Sequence, residues 1–503
     1  MRASIFGWID HWAQWTPQRT AVVSDRGQVT YAGLAARVRG MAAQLRSRDV
    51  DVGDRVAVCA LNRVEMLELL FACAHVGAIL VPVNNRLTAP EVRFQLGDCE
   101  PSVVLAEQAL EDLLRRAGTE PEDLDAFAAQ ALDAVAGAQE KGAPEHPLLL
   151  VYTSGTTGTP KGAVLTQRSL HYTVLNGVAH EGFGTGSVVA SVLPLFHVGG
   201  LNIQTVPCLF AGGAVVLAER FDPDGLVAIL RRHRPTHLLL VPTAMEALLG
   251  CGALTPEDLS SLGALNCGSS IVPEELIRRF NAYGVRVVQV YGATETGPTA
   301  VVLGYGDADR IGSCGRPAQH CQLRLVDAAG ADVAPGRTGE LWLRGPNLFT
   351  HYWNRPDETA RAFAGGWYRT GDVGRLDEDG FVYITGRVRE LIISGGENVY
   401  PAEVERVLGE HPAVAQAAVI GRPDQRWGEV PAAYIVPEAG ALPDAATLEQ
   451  WCGQRLAVYK RPREWIFVDD LPRTSLGGYW NTSPRWPARS IESCCPTTGS
   501  PGG

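Results

Sequence analysis

Tyr152-Thr153-Ser154-Gly155-Thr156-Thr157-Gly158-Thr159-Pro160-Lys161-Gly162 follows a short apolar run, Leu148 to Val151, that reads as a buried strand ending in a loop. The stretch carries three glycines, five Ser/Thr hydroxyls and one lysine, and no bulky apolar side chain after Tyr152. Glycine lets backbone N–H groups converge on an anion. Hydroxyls add rotatable donors, and Lys161 adds a point charge suited to phosphate. The chemistry implied is the grip of a polyphosphate such as that of ATP. The string is not a Walker A loop, because Pro160 stands at the place of its second glycine and Gly162 at that of its Ser/Thr. A flexible surface turn is the bland alternative for so small-residued a run.

At 503 residues the chain is too long for one ordinary core, so two or more domains are expected. Hydrophobic content of 46% with 20% charged residues describes a soluble globular protein. A net charge of −11 argues against nucleic acid as a partner and requires any anionic ligand to be held by local donors. The 11 cysteines show no C-x-x-C pair and no zinc spacing, and read as reduced, buried thiols of a cytoplasmic protein. Met1 to Arg19, with Trp8, Trp12 and Trp15 among polar residues, reads as an amphipathic helix and not a signal peptide. No stretch reaches the length of a transmembrane helix, so no stable membrane insertion is expected.

Downstream of that helix the pattern alternates: helix Tyr31–Arg46, strand Arg55–Ala60, helix Val64–His75, strand Ile79–Val83. Glu107 to Pro147 reads as helix plus exposed connection. Strand-like runs recur at Val188–Leu193, Gly213–Leu217, His237–Val241, Ala264–Cys267 and Val285–Val290. Shorter spacing from Gly312 to Tyr352 suggests a β-rich subdomain. Around Gly386 the character changes again: Pro401 opens a helix, followed by strand-like Val414–Ile420 and Ala432–Val436 and helical Ala445–Leu456. The expected class is α/β, with a large N-terminal domain of layered α/β subdomains plus a small β-rich one over residues 1–386. A small, mobile α+β C-terminal domain occupies 387–477, and an atypical tail 478–503.

The string Tyr152–Gly162 resembles the phosphate loop of the adenylate-forming, AMP-binding superfamily, which includes acyl-CoA synthetases, peptide-synthetase adenylation domains and luciferases. Further motifs follow in the family's order. Pro-Leu-Phe196-His197 resembles the segment bordering the acyl pocket, and Gly268-Ser269-Ser270 the loop beside adenine. Tyr291-Gly292-Ala293-Thr294-Glu295-Thr296 resembles the segment in which the tyrosine stacks on adenine, the threonine contacts the α-phosphate and the glutamate helps hold Mg²⁺. In Trp367-Tyr368-Arg369-Thr370-Gly371-Asp372, a carboxylate read as lying in a turn, the resemblance gives Asp372 the ribose hydroxyls. Gly386-Arg387-Val388-Arg389-Glu390 resembles the hinge, with Arg387 near ribose and phosphate and Arg389 at the pivot. Ser394-Gly395-Gly396-Glu397-Asn398 resembles the loop lining the pantetheine tunnel. Trp427-Gly428-Glu429 and Tyr459-Lys460-Arg461-Pro462 resemble the surface that some CoA ligases use for the nucleotide of CoA.

The resemblance therefore implies an AMP-forming acyl-CoA ligase with ATP, Mg²⁺ and CoA, in which His197, Thr294, Glu295 and Arg387 serve catalysis. Thr153, Ser154, Gly155, Thr156, Thr157, Gly158, Lys161, Gly268, Ser269, Tyr291, Gly292, Asp372 and Arg387 would hold the nucleotide. Gly395, Gly396, Trp427, Tyr459 and Arg461 would hold CoA, and Glu295 the metal. No Lys or Arg occurs near His197–Gln204, Cys267–Ile271 or Gly292–Val302, so a second carboxylate on the substrate would lie unpaired. Gly199, Gly200, Ala293 and Gly297 leave room there. A fatty acid and an aromatic acid both fit, with the reading leaning to the fatty acid. An adenylation enzyme that loads a carrier protein, and an adenylation-impaired homologue, are the alternatives.

The last alternative comes from one departure. The family's adenylation lysine stands in a pattern close to Pro-Arg/Lys-x-x-x-Gly-Lys, whereas this chain reads Pro472-Arg473-Thr474-Ser475-Leu476-Gly477-Gly478. Tyr479 to Gly503 is rich in turn residues and lacks apolar periodicity, as a disordered or frame-shifted segment would.

Overall fold

The computed structural model describes residues 5–133, 140–153, 159–268, 272–387, 392–438, 441 and 443–471. Four sheets organise them. A nine-stranded sheet has a parallel centre of Val287–Tyr291, Ala264–Cys267, His237–Leu240, Val188–Ser191, Ala214–Leu217 and Thr20–Ser24, with antiparallel strands at both edges. A seven-stranded sheet is built around Arg55–Cys59, Ile79–Pro82 and Pro147–Thr153, closed by Lys161–Thr166 running antiparallel to the last. Both parallel centres are mainly apolar, as strands covered on both faces require.

The helix Val64–Val76 is buried along its whole length. It shares one apolar cluster with Val22 and Val215 of the first sheet and Val56 and Leu80 of the second. Its apolar residues leave no solvent face, and its buried Glu65 and Glu68 are paired with Arg63 and Arg37. The amphipathic N-terminal helix runs Phe6–Trp15, burying Ile9 and donating Trp12 Nε1 to Phe210 O at 2.8 Å, while Trp15 is exposed. The helix Tyr31–Arg46 starts at Thr30, whose hydroxyl accepts from Gly33 N at 3.1 Å.

An antiparallel sheet of Gln322–Val326, Thr338–Arg344, Trp367–Leu376 and Val382–Arg387 forms the β-rich part. Asp372 lies within the third of these strands, not in a turn, and its Cα partner across the ladder is Arg387. The fourth sheet begins at Ile392–Ser394 and holds Glu397–Val399, Val414–Asp424, Gly428–Pro437 and the parallel strand Glu464–Phe467. The change of sheet thus falls between 387 and 392. Helices Pro401–Gly409 and Ala445–Gly453 cover the fourth sheet, the latter ending three residues before the expected Leu456. Among the described residues no helix is long and apolar enough to cross a membrane. Burial pushes the Cys59 thiol up to about 12, the behaviour of an inert core cysteine.

Candidate active site

The ladder between Pro147–Thr153 and Lys161–Thr166 pairs Thr153 with Lys161, so the phosphate string is the connection of a hairpin. Ser154, Gly155, Thr156, Thr157 and Gly158 lie outside the described residues, as do Ser269 and Arg389, the tail from 472 onward and the side chain of Arg387. Thr153 Oγ1 donates to Glu295 Oε1 at 3.3 Å, and Tyr352 Oη to the same oxygen at 3.0 Å. Glu295 is buried in a single helical turn, Thr294–Thr296, directly after the strand ending at Tyr291. The Lys161 ammonium sits 3.5 Å from Glu358 and 5.3 Å from the centre of the Tyr352 ring. These contacts bring the phosphate string and the carboxylate expected to hold a metal into one corner.

Tyr291 Oη donates to Asp372 Oδ2 at 2.6 Å, joining the residues expected against adenine and ribose. Asp372 is buried in its strand with Thr370 Oγ1 on its own N–H at 3.0 Å. Gly292, between Tyr291 and Thr294, is dictated by contact: a Cβ there would stand 2.4 Å from Pro298 O.

One cavity of about 340 Å³ is lined by Gly292 and Thr294 of this region and by residues of the small domain. Its apolar end is formed by Gly199, Ile203, Leu239 and Val290; its middle by His197, Gly268, Gly292 and Thr294; its far end by Gly395, Gly396, Arg426 and Trp427. Gly199 opens onto free space, as expected of a residue that leaves room for substrate. Gly200 and Gly297 have a different reason: a Cβ would strike Pro194 O at 2.4 Å, or Thr173 Oγ1 at 2.2 Å. They are glycine for backbone packing.

At the middle of the cavity His197 Nε2 lies 2.8 Å from Glu397 Oε2, and Arg86 donates to Glu397 Oε1 at 2.6 Å. Burial works to raise the Glu397 carboxyl, but the charges of His197, Arg86 and Lys460 outweigh it and hold it below the ordinary glutamate range. Glu397 follows the turn Gly395-Gly396, where both residues have positive φ, +61° and +82°, the geometry that a two-residue hairpin loop needs. A Cβ on Gly395 would lie 2.6 Å from the Trp427 ring, so the turn rests directly on the indole.

Of the expected CoA contacts, Gly395, Gly396 and Trp427 line the cavity and Tyr459 and Arg461 do not. Tyr459 is buried in the apolar core of the small domain, and Lys460 is buried between two carboxylates. Arg461 spends its donors on Leu456 O at 2.9 Å and Gly453 O at 3.0 Å. A basic, aromatic string read as surface is turned inward because a buried Lys finds its counter-charges there. Arg426 and Arg463 are the cations beside Trp427, 5.4 and 5.9 Å from its ring centre. Sequence reasoning also missed Arg86 and Tyr352. Arg86 lies 311 residues from its partner Glu397, and no local pattern signals it.

Strand-end delivery of an aromatic, a hydroxyl and a carboxylate beside the Thr153–Lys161 hairpin, with a second domain over the adjoining cavity, is the arrangement expected of a nucleotide-using enzyme of two domains. The AMP-binding enzyme family matches residues 9–353, and the AMP-binding enzyme C-terminal domain matches residues 403–477. The chain belongs to this family, in the class of AMP-forming acid–thiol ligases. It is 44% identical to an indoleacetate–CoA ligase of Aromatoleum aromaticum, over 93% of this chain and 95% of the relative. It is 39% identical to a feruloyl-CoA synthase of an Amycolatopsis species, over 92% and 95%. A double mutant of the o-succinylbenzoate CoA synthetase of Bacillus subtilis, bound with a product analogue, is 34% identical and superimposes with a TM-score of 0.87 over 94% of this chain and 97% of the other. The same enzyme in complex with its acyl-adenylate intermediate, also 34% identical, gives 0.71 over 94% and 96%.

Proposed function

We propose that the protein activates an aromatic monocarboxylic acid with ATP and passes the acyl group to CoA. The single observation that carries this reading is the continuous cavity, whose lining extends from apolar positions such as Gly199 and Val290 to Gly395, Gly396 and Trp427 of the small domain. The relatives named for indoleacetate and ferulate move the acid from the fatty acid towards which the sequence leaned to an aromatic one. A monocarboxylate fits because Arg86 and His197, which line the cavity, are both engaged by Glu397.

In the first step the substrate carboxylate oxygen attacks the ATP α-phosphorus and pyrophosphate leaves. Thr294 would meet the α-phosphate, Tyr291 the adenine and Asp372 the ribose. Mg²⁺ would neutralise the phosphates. A buried carboxylate beside the phosphate hairpin suits it, because Mg²⁺ takes one or two protein carboxylates and completes its shell with phosphate oxygens and water. Glu295 would be that carboxylate. In the second step the CoA sulfur attacks the acyl carbonyl carbon, its proton passes to solvent, and the carbon–oxygen bond to AMP breaks. The docked small domain supports this step: Glu397 engages His197 at 2.8 Å, and the glycine turn with Trp427 borders the cavity that the thiol arm would enter. The higher superposition score with the product-analogue complex supports the same assignment.

CoA-dependent AMP release over a panel of acids tests the proposal. Indoleacetate, ferulate and related aryl acids are expected to turn over. Turnover of straight-chain fatty acids alone, or dependence on a carrier protein in place of CoA, would overturn it.

A further inference from the structure

Three polar contacts join one short segment of the large domain, Arg86 to Glu91, to the small domain. Arg86 holds Glu397, Thr88 Oγ1 donates to Arg455 O at 3.1 Å, and Glu91 Oε1 accepts from Lys460 Nζ at 2.7 Å. The second Glu91 oxygen is already in use: Oε2 accepts from Thr88 N and Thr88 Oγ1, both at 2.7 Å, closing the capping box of helix Ala89–Cys99. Leu87 and Val92, flanking this cap, share an apolar cluster with Val399, Val404 and Tyr459 of the small domain.

Lys460 gives a second hydrogen bond, also 2.7 Å, to Glu403 Oε1. The side chains of Lys460, Glu91 and Glu403 are 4%, 7% and 3% exposed, so one ammonium is shared by two buried carboxylates. Burial raises the Glu403 carboxyl, Lys460 opposes it, and the like charge of Glu91 adds to the rise. Glu403 and Lys460 belong to the small domain and travel together, whereas Glu91 stays with the large one. Within this triad, a rotation of the small domain therefore leaves the Lys460–Glu403 pair intact and breaks the bond to Glu91. The triad is complete in the arrangement that closes the cavity with Gly395, Gly396 and Trp427.

We propose that Glu91 is a positioning residue for the second half-reaction: its hold on Lys460 docks the small domain for thioester formation and has no part in binding the adenylate. The inference rests on the CoA-ligase reading above. A buried charge contact that exists in one arrangement only biases the equilibrium by its full differential energy.

The test supplies the full chain with a synthetic aryl-adenylate and CoA and follows acyl-CoA formation. Hydrogen exchange is measured in parallel at the amides of 455–461. In Glu91→Gln, whose amide oxygen still caps the helix, acyl-CoA formation should fall by ~10-fold or more while the adenylate Kd stays within about twofold. Exchange at 455–461 should rise, a change across the domain boundary that a local loss at residue 91 would not produce. Wild-type rates together with wild-type exchange in Glu91→Gln would overturn the inference. If the wild-type chain itself forms no acyl-CoA, the functional reading falls, and exchange at 455–461 still decides whether Glu91 docks the small domain.

Discussion

Gly199 lines the acyl end of the cavity, and a Cβ built there would meet no atom within 4 Å. Most glycines of this site cannot change without a backbone collision; this one can, so it is the position at which the pocket can be reshaped without refolding. Gly199→Phe should fill part of the cavity and separate large acids from small ones. Discrimination of about 10–100-fold in kcat/KM against a bicyclic aryl acid relative to a monocyclic one is expected, from the ~1–3 kcal/mol that such a pocket contact supplies. Steady-state kinetics with the two acids checks it. Equal losses for both would place the acyl group elsewhere.

The hairpin Ile392–Ser394/Glu397–Val399 and the helix end at Glu181 each carry a prediction at the scale of elements. In the hairpin, Gly395→Ala puts a methyl group onto the Trp427 ring at a left-handed φ. Both effects push the turn away from the cavity. The KM for CoA should rise by about tenfold, as ~1–2 kcal/mol of turn strain implies, while the KM for ATP stays near wild type. At the end of helix Gln167–Glu181, the buried Glu181 carboxylate accepts from Asn266, Gln204 and Tyr305. Burial pushes its carboxyl up to about 7, against the pull of those three donors. The folded chain thus binds this proton more tightly than the unfolded chain, whose glutamates titrate near 4.3. The stability it contributes is full below that value and is lost as pH rises towards 7, by on the order of 2–4 kcal/mol. Glu181→Gln should flatten this part of the stability profile between pH 4 and 7. The new amide can donate to Asn266 Oδ1 or Gln204 Oε1, which are buried without partners. Glu68, also pushed up to about 7 by burial, titrates in the same window, so denaturant midpoints of wild type and variant must be compared pH by pH.

Across the whole molecule, the proposed pair of half-reactions would use different arrangements of the same two domains, and the described residues hold the one in which Glu397 meets His197. The adenylation lysine expected near the chain's end is replaced by Gly478, and the family match ends at 477. Gly478→Lys should therefore raise acid-dependent pyrophosphate release by roughly 10²–10³, the cost of one preorganised donor. Thioester formation from supplied adenylate should change little. A variant no faster than the parent chain would show that another group serves adenylation.

The strand and helix pattern was legible because it is local: Tyr31–Arg46 and Ala264–Cys267 begin and end where apolar periodicity and Thr30 place them. The candidate nucleotide corner came from resemblance, which is carried by short strings: Thr153, Lys161, Tyr291 and Glu295 sit in them at or just after strand ends, and Asp372 inside a strand that periodicity did not show. The sequence by itself determined the layered α/β class, the order of its elements and the motifs that carry the family resemblance, because each depends on neighbours within a few residues. The tertiary structure decided which side chains face the cavity. Arg86 reaches Glu397 across 311 residues, His197 reaches it across 200, and Lys460 turns inward to Glu91 across 369. Such pairs are set by which surfaces the folded domains press together, and a buried charge takes its partner from there and not from its own stretch of chain.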